Sequence, residues 1–141
     1  MGSRMAILLR AATVASLLLP LAPLTAQRVA AGPYEDAKAA YQKGDFATAV
    51  RLLLQVAETG NAAAQNLLGF MYHDGEGVPR DYVRSYMWFY LASSLYAADS
   101  QEFKDARDAM DLTAAAMTAD QISEARAMAR RCQDQRYKNC G

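Results

Sequence analysis

The stretch NAAAQNLLGFMYHDGEGVPRDYVRSYMWFYLAS, residues 61–93, decides the fold of this chain. Two segments with apolar residues at helical spacing flank a loop that contains Gly75 and Gly77. The second segment recurs 36 positions earlier, in the pairs Asp45/Asp81, Phe46/Tyr82, Ala49/Ser85, Leu52/Trp88, Leu53/Phe89, Val56/Ala92 and Ala57/Ser93. A period of this length is typical of helical-repeat solenoids, whose units bury their apolar faces against their neighbours. Such folds usually bind other molecules.

The sequence around this stretch predicts an all-α fold. Beyond Gln27 there is hardly any alternation of period two, and helix-forming Ala, Leu, Met and Arg dominate. We predict a short α/α solenoid of three antiparallel helix pairs, with helices at about residues 33–43, 46–59, 62–73, 82–97, 100–117 and 119–133. Their ends are indicated by proline, glycine and N-cap residues, namely Pro33, Gly44, Asp45, Gly60, Asn61, Asp81 and the pair Thr118 and Gln121.

The central helix pair has a predicted core. Ala64, Leu68 and Tyr72 share one face of the third helix, and Gly69 beside them allows a close approach. The answering face of the fourth helix consists of Tyr82, Ser85, Trp88, Phe89 and Ala92. We expect Trp88 to be a core residue, in preference to a ligand-stacking role.

The N-terminal 26 residues have the layout of a secretory signal. Arg4 and Arg10 precede the apolar run 11–19, and a small-residue site follows two prolines. A membrane anchor is the alternative, but the uncharged run is short for a span. We therefore expect cleavage between Ala26 and Gln27, a periplasmic or secreted product, and no stable membrane anchor afterwards. The predicted divisions are a signal peptide (1–26), a linker (27–32), a helical repeat domain (33–133) and a disulfide-closed tail (134–141).

The charge balance disfavours nucleic acid as a partner. The chain has 15 basic and 15 acidic residues, and cleavage would remove two of the basic ones, leaving a formal charge of −2. Such a product has no long-range positive field that would attract nucleic acid.

Cys132 and Cys140 are the only cysteines. In an oxidising compartment they are expected to pair. A continuous helix would hold their Cα atoms about 12 Å apart, too far for a disulfide, so the last helix must end near Gln133 and the tail must turn back. Free thiols, a redox pair or a metal site are the alternatives. The sequence has no C-x-x-C spacing, and His73 is its only histidine.

No catalytic constellation stands out in the sequence. It lacks H-E-x-x-H, G-x-S-x-G and S-x-x-K motifs, and no cofactor or metal is predicted. The acidic residues Asp105, Asp108 and Asp111 could form a cation-binding face, but a solvated helix surface interleaved with Lys104 and Arg107 is the preferred interpretation.

Residues 61 to about 97 resemble the Sel1-like repeat, a relative of the tetratricopeptide repeat. The resemblance is carried by Ala64-Gln65, Leu68-Gly69, Tyr72, Gly75-x-Gly77-Val78, Asp81 and Trp88-Phe89. Ser85, Ser93 and Phe89 depart from it, since alanine, alanine and tyrosine are usual there. Residues 33–60 look like a degenerate preceding unit, and residues 99–133 match as a terminal helical pair.

The resemblance implies a non-enzymatic protein–protein interaction module. It places Ala63, Asn66, Phe70, His73 and Asp74 on the concave surface, and Tyr34, Lys38 and Tyr41 are the equivalent positions of the first helix. The residues Tyr34, Lys38, Tyr41, Asn66, Phe70 and His73 are called the inner strip below.

We expect the inner strip to contact a protein or an extended peptide, because Phe70 is a large apolar residue that the helix-pair core does not need. Packing of Phe70 against the neighbouring repeat is the alternative. For the chain as a whole, the alternatives are a cell-wall or β-lactam-related enzyme and a structural envelope-stress protein. Since three helix pairs are few for a solenoid, self-association is also a possible outcome.

Overall fold

A computed structural model describes residues 31–141, so the predicted signal segment, its cleavage site and most of the linker lie outside the described residues. The described part contains six α-helices and no strand, which confirms the all-α Sel1-like solenoid class. The helices are α1 (Pro33–Gln42), α2 (Phe46–Ala57), α3 (Ala62–Asp74), α4 (Tyr82–Leu95), α5 (Gln101–Ala114) and α6 (Ala119–Asp134).

Five of the six helices begin at a side-chain cap. In each case the capping oxygen accepts a hydrogen bond from the backbone N–H three residues later, which satisfies one of the free donors of the first turn. The caps are Asp45, Asn61, Asp81, Ser100 and Thr118. Gln121 also accepts a hydrogen bond from the Thr118 amide, which completes the predicted capping box.

Three helices end two or three residues before their predicted ends. Helix α2 closes in a turn in which the Gly60 amide donates to the Ala57 carbonyl, and the Met117 amide makes the same kind of bond to Ala114 after α5. Helix α4 ends because Tyr96 adopts an extended conformation. Sequence periodicity does not distinguish such turns from a last helical turn.

Helices α3 and α4 pack at the predicted close contact. The Ser85 hydroxyl, which is fully buried, donates a hydrogen bond to the Gly69 carbonyl at 2.8 Å. Trp88 is 1% exposed and lies in the main core with Leu53, Leu68 and Met71, as predicted. The Gln65 amide, also buried, donates to the Ala57 carbonyl and so ties α3 to the end of α2.

Helix α4 is the central element of the fold. Helix α2 packs on α1 and α3, whereas α3, α5 and α6 all pack on α4. The predicted third pair differs in detail, because α5 and α6 contact α4 far more than each other. The buried face of α6 consists of Ala125, Ala129 and Cys132, and such small residues allow a close approach to the larger side chains of α4.

The C-terminal tail, residues 135–141, turns back from α6 and covers the end of α2. Arg136, Tyr137 and Asn139 have left-handed backbone conformations that reverse the chain direction. The Asn139 amide donates to the Glu58 carboxylate at 3.1 Å. Cys140 thereby comes to disulfide-bonding distance of Cys132, with the two Cα atoms 5.2 Å apart.

None of the helices between residues 31 and 141 has both the length and the hydrophobicity that a membrane span requires.

Candidate functional site

The α1 part of the inner strip is partly buried. Tyr34 and Tyr41 pack against the main core beside Ala37, and only Lys38 is fully exposed. Tyr41 also packs against the ring of Phe46, with centroids 5.3 Å apart. The two tyrosines therefore stabilise α1 as well as forming a surface.

The α3 part of the inner strip is more accessible. Asn66 and His73 are half-buried, whereas Phe70 is 39% exposed. His73 Nδ1 lies 2.8 Å from Asp74 Oδ1, and its ring packs against that of Tyr82. These contacts orient the imidazole at the C-terminal end of α3.

Phe70 lies at the mouth of a small cleft between α3 and α5. The Phe70 cleft is lined by Phe70, His73, Phe89, Ala109 and Leu112. The Phe70 ring stands edge-on to Phe89 with centroids 4.9 Å apart, a favourable aromatic geometry. Leu112, on the facing helix, is 67% exposed. Phe70 therefore contacts Phe89 of the helix-pair core, borders α5 and still presents apolar surface.

The exposed apolar side chains are concentrated at this cleft. Among residues 31–141, the large hydrophobic side chains with substantial exposure are Phe70, Leu95 and Leu112. Two of these three border the same cleft, whereas Leu95 lies at the end of α4. An exposed apolar patch beside polar side chains is typical of a protein-binding surface.

Three tyrosines along α1 and the end of α4 have raised pKa values. Burial is the main cause for each of them, and nearby negative charge adds to it. The pKa of Tyr41 is raised further by the nearby carboxylate of Glu76 and by the charge of Asp74. The pKa of Tyr96 is raised further by Tyr34 and Glu102. Carboxylates therefore lie near both ends of the inner strip.

Sequence reasoning missed two residues of this surface. Leu112 could have been found, because it lies beside the apolar stripe of α5 (Ala106, Ala109, Met110, Thr113) without belonging to it. Tyr96 could not have been found from the sequence, since its position depends on where α4 ends. The structure brings Phe70 and His73 together in one cleft, and it places Tyr34 and Tyr41 towards opposite ends of α1.

Among residues 31–141, no group of three or more His, Cys, Asp or Glu side chains has a metal-binding arrangement.

Residues 62–96 match the family model of the Sel1 repeat. The matched segment begins at the first residue of α3 and ends directly after α4, so it is one helix pair with its loop. The chain therefore contains a Sel1-like repeat, as the sequence predicts. Sel1 repeats are typically non-enzymatic modules that mediate protein–protein interaction. No curated protein and no solved structure gave a significant match to the chain.

Proposed function

We propose that this protein is an exported, non-enzymatic adaptor that binds a partner protein through the Phe70 cleft and the adjoining inner strip. The single observation that supports this most is the pairing of Phe70 and Leu112, two exposed apolar side chains from different helices that border one cleft. Apolar anchors in a pocket commonly supply most of the binding energy of a protein interface.

The experiment is an in-cell crosslinking pull-down of the tagged protein, followed by titration of the purified partner. Phe70→Ala removes the exposed ring, and Leu95→Ala is the matched control, because Leu95 is exposed to almost the same extent (40%) at another place. We expect one dominant partner whose affinity falls at least about tenfold in Phe70→Ala, a loss of about 1.4 kcal/mol.

The helicity and the thermal midpoint of both variants are measured first. Equal affinity of the parent and a folded Phe70→Ala variant would exclude the cleft as the binding site. Failure to recover a specific partner from cells would instead favour a structural role.

The proposed export has a separate test. It is supported by the layout of residues 1–26 and by the proximity of Cys132 and Cys140, since disulfides persist in oxidising compartments. N-terminal sequencing of the protein from a periplasmic fraction should give Gln27 as the first residue. Retention of Met1 in the cytosolic fraction would contradict export.

A further inference from the structure

The border of the Phe70 cleft on α5 is acidic. Asp105 and Asp108 lie four residues before Ala109 and Leu112 respectively, so they stand one turn away on the same face of the helix. Both carboxylates are exposed. Asp105 accepts a hydrogen bond from the Gln101 amide at 2.7 Å, which leaves its charge uncompensated.

The opposite border, at the end of α3, is also acidic. Asp74 is exposed and contacts His73, a residue of the cleft lining. Glu76 follows in the loop and lies close to Tyr41. Asp105 and Asp108 on α5 and Asp74 at the end of α3 therefore flank an apolar cleft, and Glu76 lies farther along, beside Tyr41.

Within residues 31–141, no basic side chain makes an ion pair with the α5 carboxylates. Among residues 31–141 the carboxylates within ion-pair distance of a basic side chain are Asp74, beside His73, and Asp81, beside Arg84, so neither Lys104 nor Arg107 pairs with the α5 carboxylates. Lys38 is the one lysine of the inner strip. The other basic residues of this range are Lys43, Arg51, Arg80 and Arg84, together with Arg126, Arg130, Arg131, Arg136 and Lys138 on α6 and the C-terminal tail.

We infer that the Phe70 cleft binds a cationic peptide segment, in which an aliphatic side chain enters the cleft beside Phe70 and Leu112 and flanking Lys or Arg side chains contact Asp105, Asp108 and Asp74. This inference rests on the proposed function and specifies the chemistry of the partner. Charge complementarity is the argument for this occupant: an acidic segment would meet three exposed carboxylates, and an uncharged one would leave them without counter-charge. The acidic border also disfavours nucleic acid and anionic membrane.

The raised pKa values of Tyr34, Tyr41 and Tyr96 agree with this picture. Burial contributes most to each of them, but carboxylates add to the effect at all three. Carboxylates therefore also lie beside the two tyrosines of the inner strip, beyond the cleft itself.

The test uses three fluorescein-labelled synthetic peptides of equal length. The first carries Lys and Arg around a single Leu, the second replaces its basic residues with Glu, and the third replaces the Leu with Ser. Fluorescence anisotropy measures their affinity for the full mature chain at ~50 mM and ~300 mM salt, because screening weakens contacts between exposed charges. We expect the first peptide to bind at least about tenfold more tightly than either of the others, and more weakly at high salt.

Two double variants test which carboxylates contribute to binding of the basic peptide. Asp105→Asn combined with Asp108→Asn should lower the affinity for the basic peptide about fivefold to tenfold, because two contacts between exposed charges are lost. The control combines Asp111→Asn with Glu124→Gln, two exposed carboxylates that do not stand one turn from a lining residue of the cleft, and should leave the affinity unchanged.

Equal binding of the basic and acidic peptides, an affinity independent of salt, or no effect of the Asp105 and Asp108 variant would overturn the inference. If Phe70→Ala still abolished binding of the cellular partner in that case, the proposed function would stand with a partner of different chemistry. Sedimentation velocity on the protein alone tests a second copy as the occupant. A dimer that dissociates in the Asp105 and Asp108 variant would assign the acidic border to self-association and overturn the peptide inference.

Discussion

The ring of Phe89 lies directly against the backbone of Gly69. A Cβ at position 69 would come within 2.5 Å of the ring, closer than real Cβ contacts allow. Since Phe89 is 1% exposed and also forms the floor of the Phe70 cleft, the Gly69 contact supports both the helix pair and the candidate site.

Gly69→Ala should therefore destabilise the protein by about 1–3 kcal/mol, because a buried aromatic ring must move to make room. Urea denaturation followed by circular dichroism measures this loss. Gly32→Ala is the control, since a Cβ there meets nothing within 4 Å; because Gly32 is the N-cap of α1, this change should cost up to about 1 kcal/mol and less than Gly69→Ala. Equal stability of Gly69→Ala and the parent would show that the contact is not as tight as described.

Trp88 should dominate the stability of the main core. Trp88→Ala is expected to cost about 3–5 kcal/mol, enough to unfold much of a small domain. Trp88→Phe should cost clearly less, because it keeps most of the apolar contact and removes an indole N–H that is buried without a hydrogen-bond partner among the described residues. Thermal unfolding of the three proteins gives the order, and a larger loss in Trp88→Phe than in Trp88→Ala would contradict the core assignment.

Reduction of the disulfide should destabilise the fold without destroying its helices. The bond between Cys132 and Cys140 closes a short loop, so the chain-entropy model gives a loss of about 2–3 kcal/mol for Cys132→Ser with Cys140→Ser. The tail would also lose its anchor beside Gly60, where it is held by Tyr137.

Denaturant unfolding with and without a reductant measures the effect of the disulfide. The non-reduced protein should take up no thiol-alkylating reagent. Uptake of two labels by the exported protein would show that the cysteines are free.

Tyr41 provides a test of the acidic environment. Its pKa is raised mainly by burial and secondly by Glu76, so the neutral phenol is favoured in the folded state. The stability that this provides is fully present below the ordinary tyrosine pKa of about 10, and it is lost as the pH rises through the folded pKa. Glu76→Gln should lower the pKa of Tyr41 without restoring the ordinary value.

An ultraviolet titration of tyrosinate formation, with Tyr41→Phe subtracted, follows this one group. An unchanged pKa of Tyr41 in Glu76→Gln would show that Glu76 does not contribute to the raised pKa of Tyr41.

The fold was predictable from the sequence because its signals are local. The caps at Asp45, Asn61 and Asp81 and the 36-residue offset depend on neighbouring residues, and the positions of Ser85 and Trp88 follow from helical spacing. The way α5 and α6 both pack on α4 depends instead on long-range packing, which no spacing within either helix specifies.

The candidate site was predictable only in part. Phe70 and His73 could be assigned to one exposed face, because the repeat fixes the orientation of α3. The contribution of Leu112 and Asp105 depends on how α5 packs on α4 beside α3, which helical spacing within α5 does not specify. Tyr34 and Tyr41 were expected on the surface, whereas both pack partly against the main core, a contact that helical spacing within α1 does not specify.

The most direct test of the proposed function is site-specific photocrosslinking in cells. A photoreactive amino acid replaces Leu112, which borders the Phe70 cleft, and in a second protein it replaces Leu95 as the control. We predict that one dominant partner is crosslinked from position 112 and that this partner is not crosslinked from position 95. The crosslink from position 112 should be lost when Phe70→Ala is added. Crosslinking of the same partner from position 95 alone, or crosslinking at 112 that is unchanged by Phe70→Ala, would contradict the assignment of this cleft as the binding site.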